Sequence, residues 1–148
     1  MAAPVYADPS SLGSLYVQDA NTARAVKAVE SGTMPLLFTS LIRHELRNAL
    51  RLCVFRRQIT AVQRESALHD MEADAEAGVL HLTPVDWPKA FIHAKRLGRA
   101  HSEALGRRGM DLRDVECALA LRAKRFATFD ERQRQLAELA GLDVGWQV

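Results

Sequence analysis

The chain has 148 residues, 48% of them hydrophobic and 26% charged, which suits a single domain over residues 1–148 with its own core. No apolar run approaches membrane-spanning length, and the opening MAAPVYAD lacks the basic and apolar regions of a secretory leader, so a cytoplasmic protein is expected. The formal net charge of +2 is too small to argue for nucleic-acid binding by itself.

In chain order, Val5 to Ala7 form a first strand, followed by Asp8 and a short helix over Leu12 to Val17. A second helix runs from Asn21 to Glu30 and stops at Ser31-Gly32. Met34-Pro35 lead into a second strand, Leu36 to Thr39, and Ser40 caps a helix to about Phe55 with Ile42, Leu46, Leu50 and Val54 on one face. Thr60 to Ala77 is another helix, ended by Gly78, and Val79 to Leu82 is a third strand. Asp86 to Leu105 reads as helical with a bend near Gly98, then Gly106 to Gly109 as a basic loop and Asp111 to Ala123 as a helix. Arg125 to Thr128 is the fourth strand, Asp130 to Ala140 the last helix, and Asp143 to Trp146 an edge strand. This alternation predicts a three-layer α/β domain, a central parallel sheet of four to five strands flanked by helices.

Open sheets of this kind bind ligands beyond the carboxyl ends of their strands. Asp8 follows the first strand and Asp130 the fourth, Asp111 opens the helix before the fourth, and Glu45 lies one turn into the helix after the second. All four acids map to one edge of the sheet. Asp8 before Pro9, Asp111, and Asp130 with Gln133 three residues on are equally well explained as helix caps. Capping does not account for Glu45 or for a shared edge. Converging carboxylates repel one another unless protons or a cation lie among them, and an all-oxygen donor set favours Mg2+ or Mn2+ over zinc. Such a cation activates water for attack on a phosphodiester. Ser10 and Thr128 could orient a carboxylate or a water, or simply make turn hydrogen bonds. Asn48 and Asp114 share helix faces with Glu45 and Asp111. Asn48 could touch a phosphate or bond between helices; Asp114 could extend the acidic cluster or be a solvated first-turn acid.

Other chemistries fit less well. The phosphate-binding glycine motifs and the nucleophile elbow are missing. His44, His69, His81, His93 and His101 lack metal-ligand spacing, and Cys53 and Cys117 read as buried thiols. Arginines cluster at Arg43, Arg47, Arg51, Arg56 and Arg57 and again at Arg96, Arg99, Arg107 and Arg108. They are either solvated helix faces or a surface that steers phosphate, with Arg43, Arg47 and Arg107 the candidate RNA phosphate contacts.

The segments YADPSSL with SLY after it, HELRNAL followed by VFR, HSEALGRRGMDL, and FATFDERQ leading to LAELAGLDV stand in an order and spacing that resembles a PIN domain of the VapC toxin type. The resemblance covers Tyr6 to about Val144. It implies a catalytic acidic tetrad at Asp8, Glu45, Asp111 and Asp130, with Asp8, Asp111 and Asp130 on the metal. Ser10 and Thr128 match the small hydroxyl residues of the first and last motifs. It further implies an Mg2+- or Mn2+-dependent endoribonuclease, a homodimer, and a cognate antitoxin partner whose tail occupies the active-site groove. The chain departs from the pattern at Arg113, Asp114 and Glu116, where related sequences are more apolar. Two rivals remain: a non-catalytic PIN-like domain that binds RNA or protein, and an acidic-pocket phosphatase or phospho-receiver. Against the latter, Ser10 replaces the second acid of Asp-x-Asp, and Thr128 stands where a receiver needs lysine.

Overall fold

The computed structural model describes residues 4–31 and 35–146. Five parallel strands, β1 (Val5–Ala7), β2 (Leu36–Phe38), β3 (Leu80–Leu82), β4 (Arg125–Ala127) and β5 (Asp143–Val144), form one sheet in the order β3-β2-β1-β4-β5. The helices are α1 (Pro9–Gly13), α2 (Thr22–Glu30), α3 (Ser40–Phe55), α4 (Ala61–Glu76), α5 (Trp87–Leu97), α6 (Glu103–Leu105), α7 (Gly109–Ala120) and α8 (Glu131–Leu139). Gly32 and Met34, expected to end α2 and to lead into β2, lie outside the described residues.

β1 and β2 are buried at every position, and β4 at Phe126 and Ala127, which requires cover on both faces of the sheet. Right-handed crossovers supply it. The chain winds outward from β1 through β2 to β3, then returns to β4 on the other side of β1, so the two halves carry their helices on opposite faces. α1 packs on α3 and α3 on α4; α5 packs on α7 and α7 on α8. Tyr6 and Phe126, both fully buried, stack with centroids 5.7 Å apart and tie β1 to β4.

Several boundaries differ from expectation, and caps explain most of them. The first helix begins at Pro9, because Asp8 caps it and Pro9 presets its first turn; Leu12 to Val17 is therefore mostly past the helix. Thr39, not Ser40, caps α3 by accepting from the Ile42 N–H at 3.1 Å, so Ser40 is the first helical residue and β2 stops at Phe38. α7 starts at Gly109 and stops at Ala120, so Asp111 is inside its first turn. The expected bend near Gly98 is a π-helical turn, Gly98–Ser102, between α5 and α6. β3 begins at Leu80, Thr128 lies beyond β4, and β5 is shorter than expected but does hold the sheet edge. No helix among the described residues is long and apolar enough to cross a membrane.

Candidate functional site

The strand order places the switch point between β1 and β4. From these neighbours the chain departs in opposite directions, leaving a crevice at their carboxyl ends. Asp8 lies at its floor, 4% exposed, its backbone N–H donating to the Ala127 carbonyl at 3.1 Å. Its carboxylate accepts from the Ser11 N–H at 3.1 Å, the Ser10 hydroxyl at 3.2 Å and the Thr128 hydroxyl at 3.1 Å. Burial pushes the Asp8 pKa up, while the bonds from Ser11, Thr128 and Ser10 pull it back. Thr128 is the link across the crevice, because the same hydroxyl accepts from the Asp130 N–H at 3.0 Å. Ser11 adds a second link, its hydroxyl accepting from the Phe129 N–H at 2.8 Å.

Asp130 caps α8, accepting from the Arg132 and Gln133 N–H groups at 2.8 and 3.3 Å. Gln133 does not complete a capping box, since the Asp130 N–H is already bonded to Thr128. Its side chain instead donates to the Asp111 carbonyl at 3.1 Å, and its Oε1 is buried without a partner. Asp111 reaches back to accept from the Arg108 N–H at 2.9 Å. That backbone bond, aided by the charges of Arg108, Arg132 and Arg107, holds its carboxyl below the ordinary carboxylate range. Asp111 and Asp130 line one open cleft with Arg107, Arg132, Gln133 and Leu136.

Glu45 is not among the residues that line this cleft. The Arg113 guanidinium donates to it at 2.5 Å, bridging α7 to α3. Burial raises the Glu45 pKa, Arg113 and then His44 lower it, and the Asp8 charge raises it. Asp114 accepts from the buried Tyr6 hydroxyl at 2.8 Å. Its pKa is pushed up to about 7, first by burial and then by the charge of Glu45.

No protein-family model matches the chain, and no curated protein matches it in sequence. Solved structures do share its fold. VapC20 of Mycobacterium tuberculosis, described as a sarcin–ricin loop cleaving toxin, is 16% identical with a TM-score of 0.65, over 93% of this chain and 95% of its own. FitAcB from Neisseria gonorrhoeae is also 16% identical, with a TM-score of 0.66 over 97% and 99%. The chain shares the PIN-domain fold of these two structures.

Within this PIN fold the expected acids occupy the expected edge, but as two groups. Asp111 and Asp130 share the open cleft; Glu45 and Asp114 sense each other and the buried Asp8 electrostatically. Among the described residues, no three His, Cys, Asp or Glu side chains stand close enough together to hold a metal ion. Arg113 engages Glu45, and backbone N–H groups engage Asp8, Asp111 and Asp130. Asp114 is no solvated acid, being bonded to Tyr6 beneath it. Asn48 is exposed and bonds to neither acid group. Arg43 and Arg47 are held by Glu72 at 3.1 and 2.6 Å, tying α3 to α4, while Arg107 stands at the cleft. Cys117 is buried as expected, but Cys53 only partly. Sequence reasoning missed Ser11, Arg132 and the positioning role of Gln133. Ser11 and Gln133 each sit three residues after a capping acid, and that spacing was the available signal.

Proposed function

We propose that the chain is an Mg2+- or Mn2+-dependent endoribonuclease, the toxin of a toxin–antitoxin pair, acting at the β1–β4 crevice. One observation carries the reading. Asp8 and Asp130, from opposite sides of the switch point, are coupled through a single hydroxyl, and Asp130 shares its cleft with Asp111. The donor set fits a hard divalent cation: Asp111 and Asp130 each keep a carboxylate oxygen free of protein hydrogen bonds, beside the unpartnered Gln133 Oε1. When bound, the cation would supply Lewis acidity toward the phosphodiester and its attacking water. Asp111 and Asp130 would hold it. Asp8 adds charge from below, and Thr128 and Ser10 keep its carboxylate oriented. Arg107 and Arg132 flank the same cleft and suit the flanking phosphates. VapC20 supports an RNA substrate by analogy of fold, since it is described as cleaving the sarcin–ricin loop. The homodimer and the antitoxin belong to this reading through the sequence resemblance. A second reading, a non-catalytic domain that binds RNA or protein, draws on the engagement of Glu45 by Arg113.

The test is cleavage of a structured RNA mixture with Mg2+ or Mn2+, with EDTA and Asp8→Asn in parallel. Asparagine caps a helix as aspartate does and keeps an acceptor for the Ser11 N–H, and a thermal melt of the variant checks its fold. Its cleavage is expected to fall by roughly 100-fold or more. Equal activity in variant and wild type would remove Asp8 from the chemistry. Silence in both, with RNA still bound, would favour the binding domain.

A further inference from the structure

Phe129 stands at the crevice between two acids' supports. Its N–H donates to the Ser11 hydroxyl at 2.8 Å, the preceding Thr128 donates to Asp8 at 3.1 Å, and Asp130 follows it directly. Among the described residues, Phe129 is not one of those packed on the core cluster, and it is only half-buried. Two other side chains meet its ring. The Trp146 indole stacks on it, with centroids 5.6 Å apart and planes 15° from parallel. The Arg24 guanidinium, from α2, lies over it at 5.1 Å from the centroid. The sheet makes the first contact possible: the Gly145 N–H donates to the Phe126 carbonyl at 2.9 Å, so the chain leaving β5 runs beside the end of β4.

A buried tryptophan normally finds an acceptor for its N–H, yet Trp146 Nε1 is buried without one, so this position makes use of the ring. Arg24 is exposed, and among the described residues no carboxylate pairs with it. A cation over an exposed ring shifts an equilibrium by about threefold. A nucleobase stacked on an aromatic ring shifts it by roughly tenfold or more. A base therefore displaces Arg24 from Phe129. We propose that Phe129 and Trp146 form a stacking platform for one unpaired base of a single-stranded or looped RNA, with Arg24 covering the ring until the base arrives. The proposal rests on the RNA reading of the crevice. Every base has a face to stack, so the platform selects unpaired bases over paired ones and not one base over another.

Two labelled probes test this in the Asp8→Asn protein: hexa-adenylate, and an abasic hexamer with the same ribose-phosphate backbone. Fluorescence anisotropy should give roughly tenfold tighter binding of hexa-adenylate. Phe129→Leu should remove most of that difference and leave the abasic affinity in place, a split that lost stability alone would not produce. Trp87 and Trp146 are the two tryptophans of the chain, so Trp87→Phe leaves Trp146 as the reporter. Its emission should be quenched by hexa-adenylate and not by the abasic hexamer. Should Phe129→Leu not fold, Trp146→Leu is expected to narrow the same difference. Equal affinity for the two probes overturns the platform while the RNA reading stands. A base preference that survives both leucine variants places the base elsewhere and also overturns it. If neither probe nor a structured RNA binds, the RNA reading and the platform fall together.

Discussion

Asp114 has the most consequential environment of any acid in the chain. Its pKa, ordinarily 3.8, stands at about 7, because burial and the neighbouring Glu45 charge both disfavour the ionised form. The folded chain therefore holds this proton more tightly than the unfolded chain. The stability it contributes is complete below about pH 4 and is lost as pH rises through 7. Asp114→Asn keeps an acceptor for the Tyr6 hydroxyl and carries no charge. After discounting for partial exposure, it is expected to gain about 1–2 kcal/mol over wild type at pH 8 and about a quarter of that at pH 4.5. Urea unfolding at both pH values in EDTA measures this, and an equal shift at the two would show that burial of the charge is not the cause. In sequence, Asp114 was indistinguishable from a solvated first-turn acid. Only the fold brings Tyr6, 108 positions away, beneath it. Asp8, Asp111 and Asp130 were legible, since an acid that ends a strand or opens a helix carries its position in its neighbours. The hydrogen bonds among them were not, being contacts between segments far apart in the chain.

Strands and helices were legible in kind and order because each has a short apolar core and a stop signal. Their first residues were not, where two capping candidates stand side by side, as with Thr39 and Ser40. Nor could the sequence show that β4 returns beside β1, which makes the crevice. α4 shows what caps contribute. It buries only Ala67, Met71 and Ala75, a narrow stripe for a 16-residue helix. Its start is secured by a reciprocal pair, the Gln63 N–H to Thr60 at 3.1 Å and the Thr60 N–H to Gln63 at 2.8 Å. Thr60→Ala should cost about 1 kcal/mol, lowering Tm by about 2–4 °C. Cleavage should be unaffected, because α3 begins at the site and runs 16 residues, about 24 Å, before α4 starts. A thermal melt that does not move would show α4 held by packing alone, and a drop in cleavage would show that this hairpin reaches the substrate.

Across the whole molecule the charge is nearly balanced at +2, so any attraction for RNA must come from where the charges stand. Of the arginines that the sequence brings to notice on α3, Arg43 and Arg47 are paired with Glu72. Around the cleft the balance is different. Arg108 is 85% exposed beside Asp111, Arg132 is exposed at the start of α8, and Arg107 donates to the Arg132 carbonyl at 3.3 Å. Arg107 and Arg132 line the cleft beside the two acids, and Arg108 pairs with Asp111 at 3.7 Å; under the proposed function this basic rim is what would draw in the RNA. For single-stranded RNA, each phosphate neutralised contributes about −0.7 to the slope of log K against log salt. Three rim arginines therefore predict a slope near −2. Measured with the Asp8→Asn protein, so that RNA is bound and not cut, Arg132→Gln should flatten the slope by about 0.7. Arg56→Gln, at the far end of α3, should leave it unchanged. If the two substitutions flatten it equally, RNA is drawn by the helical hairpin as much as by the cleft, and the path of the strand past Asp111 and Asp130 would have to be redrawn across α3.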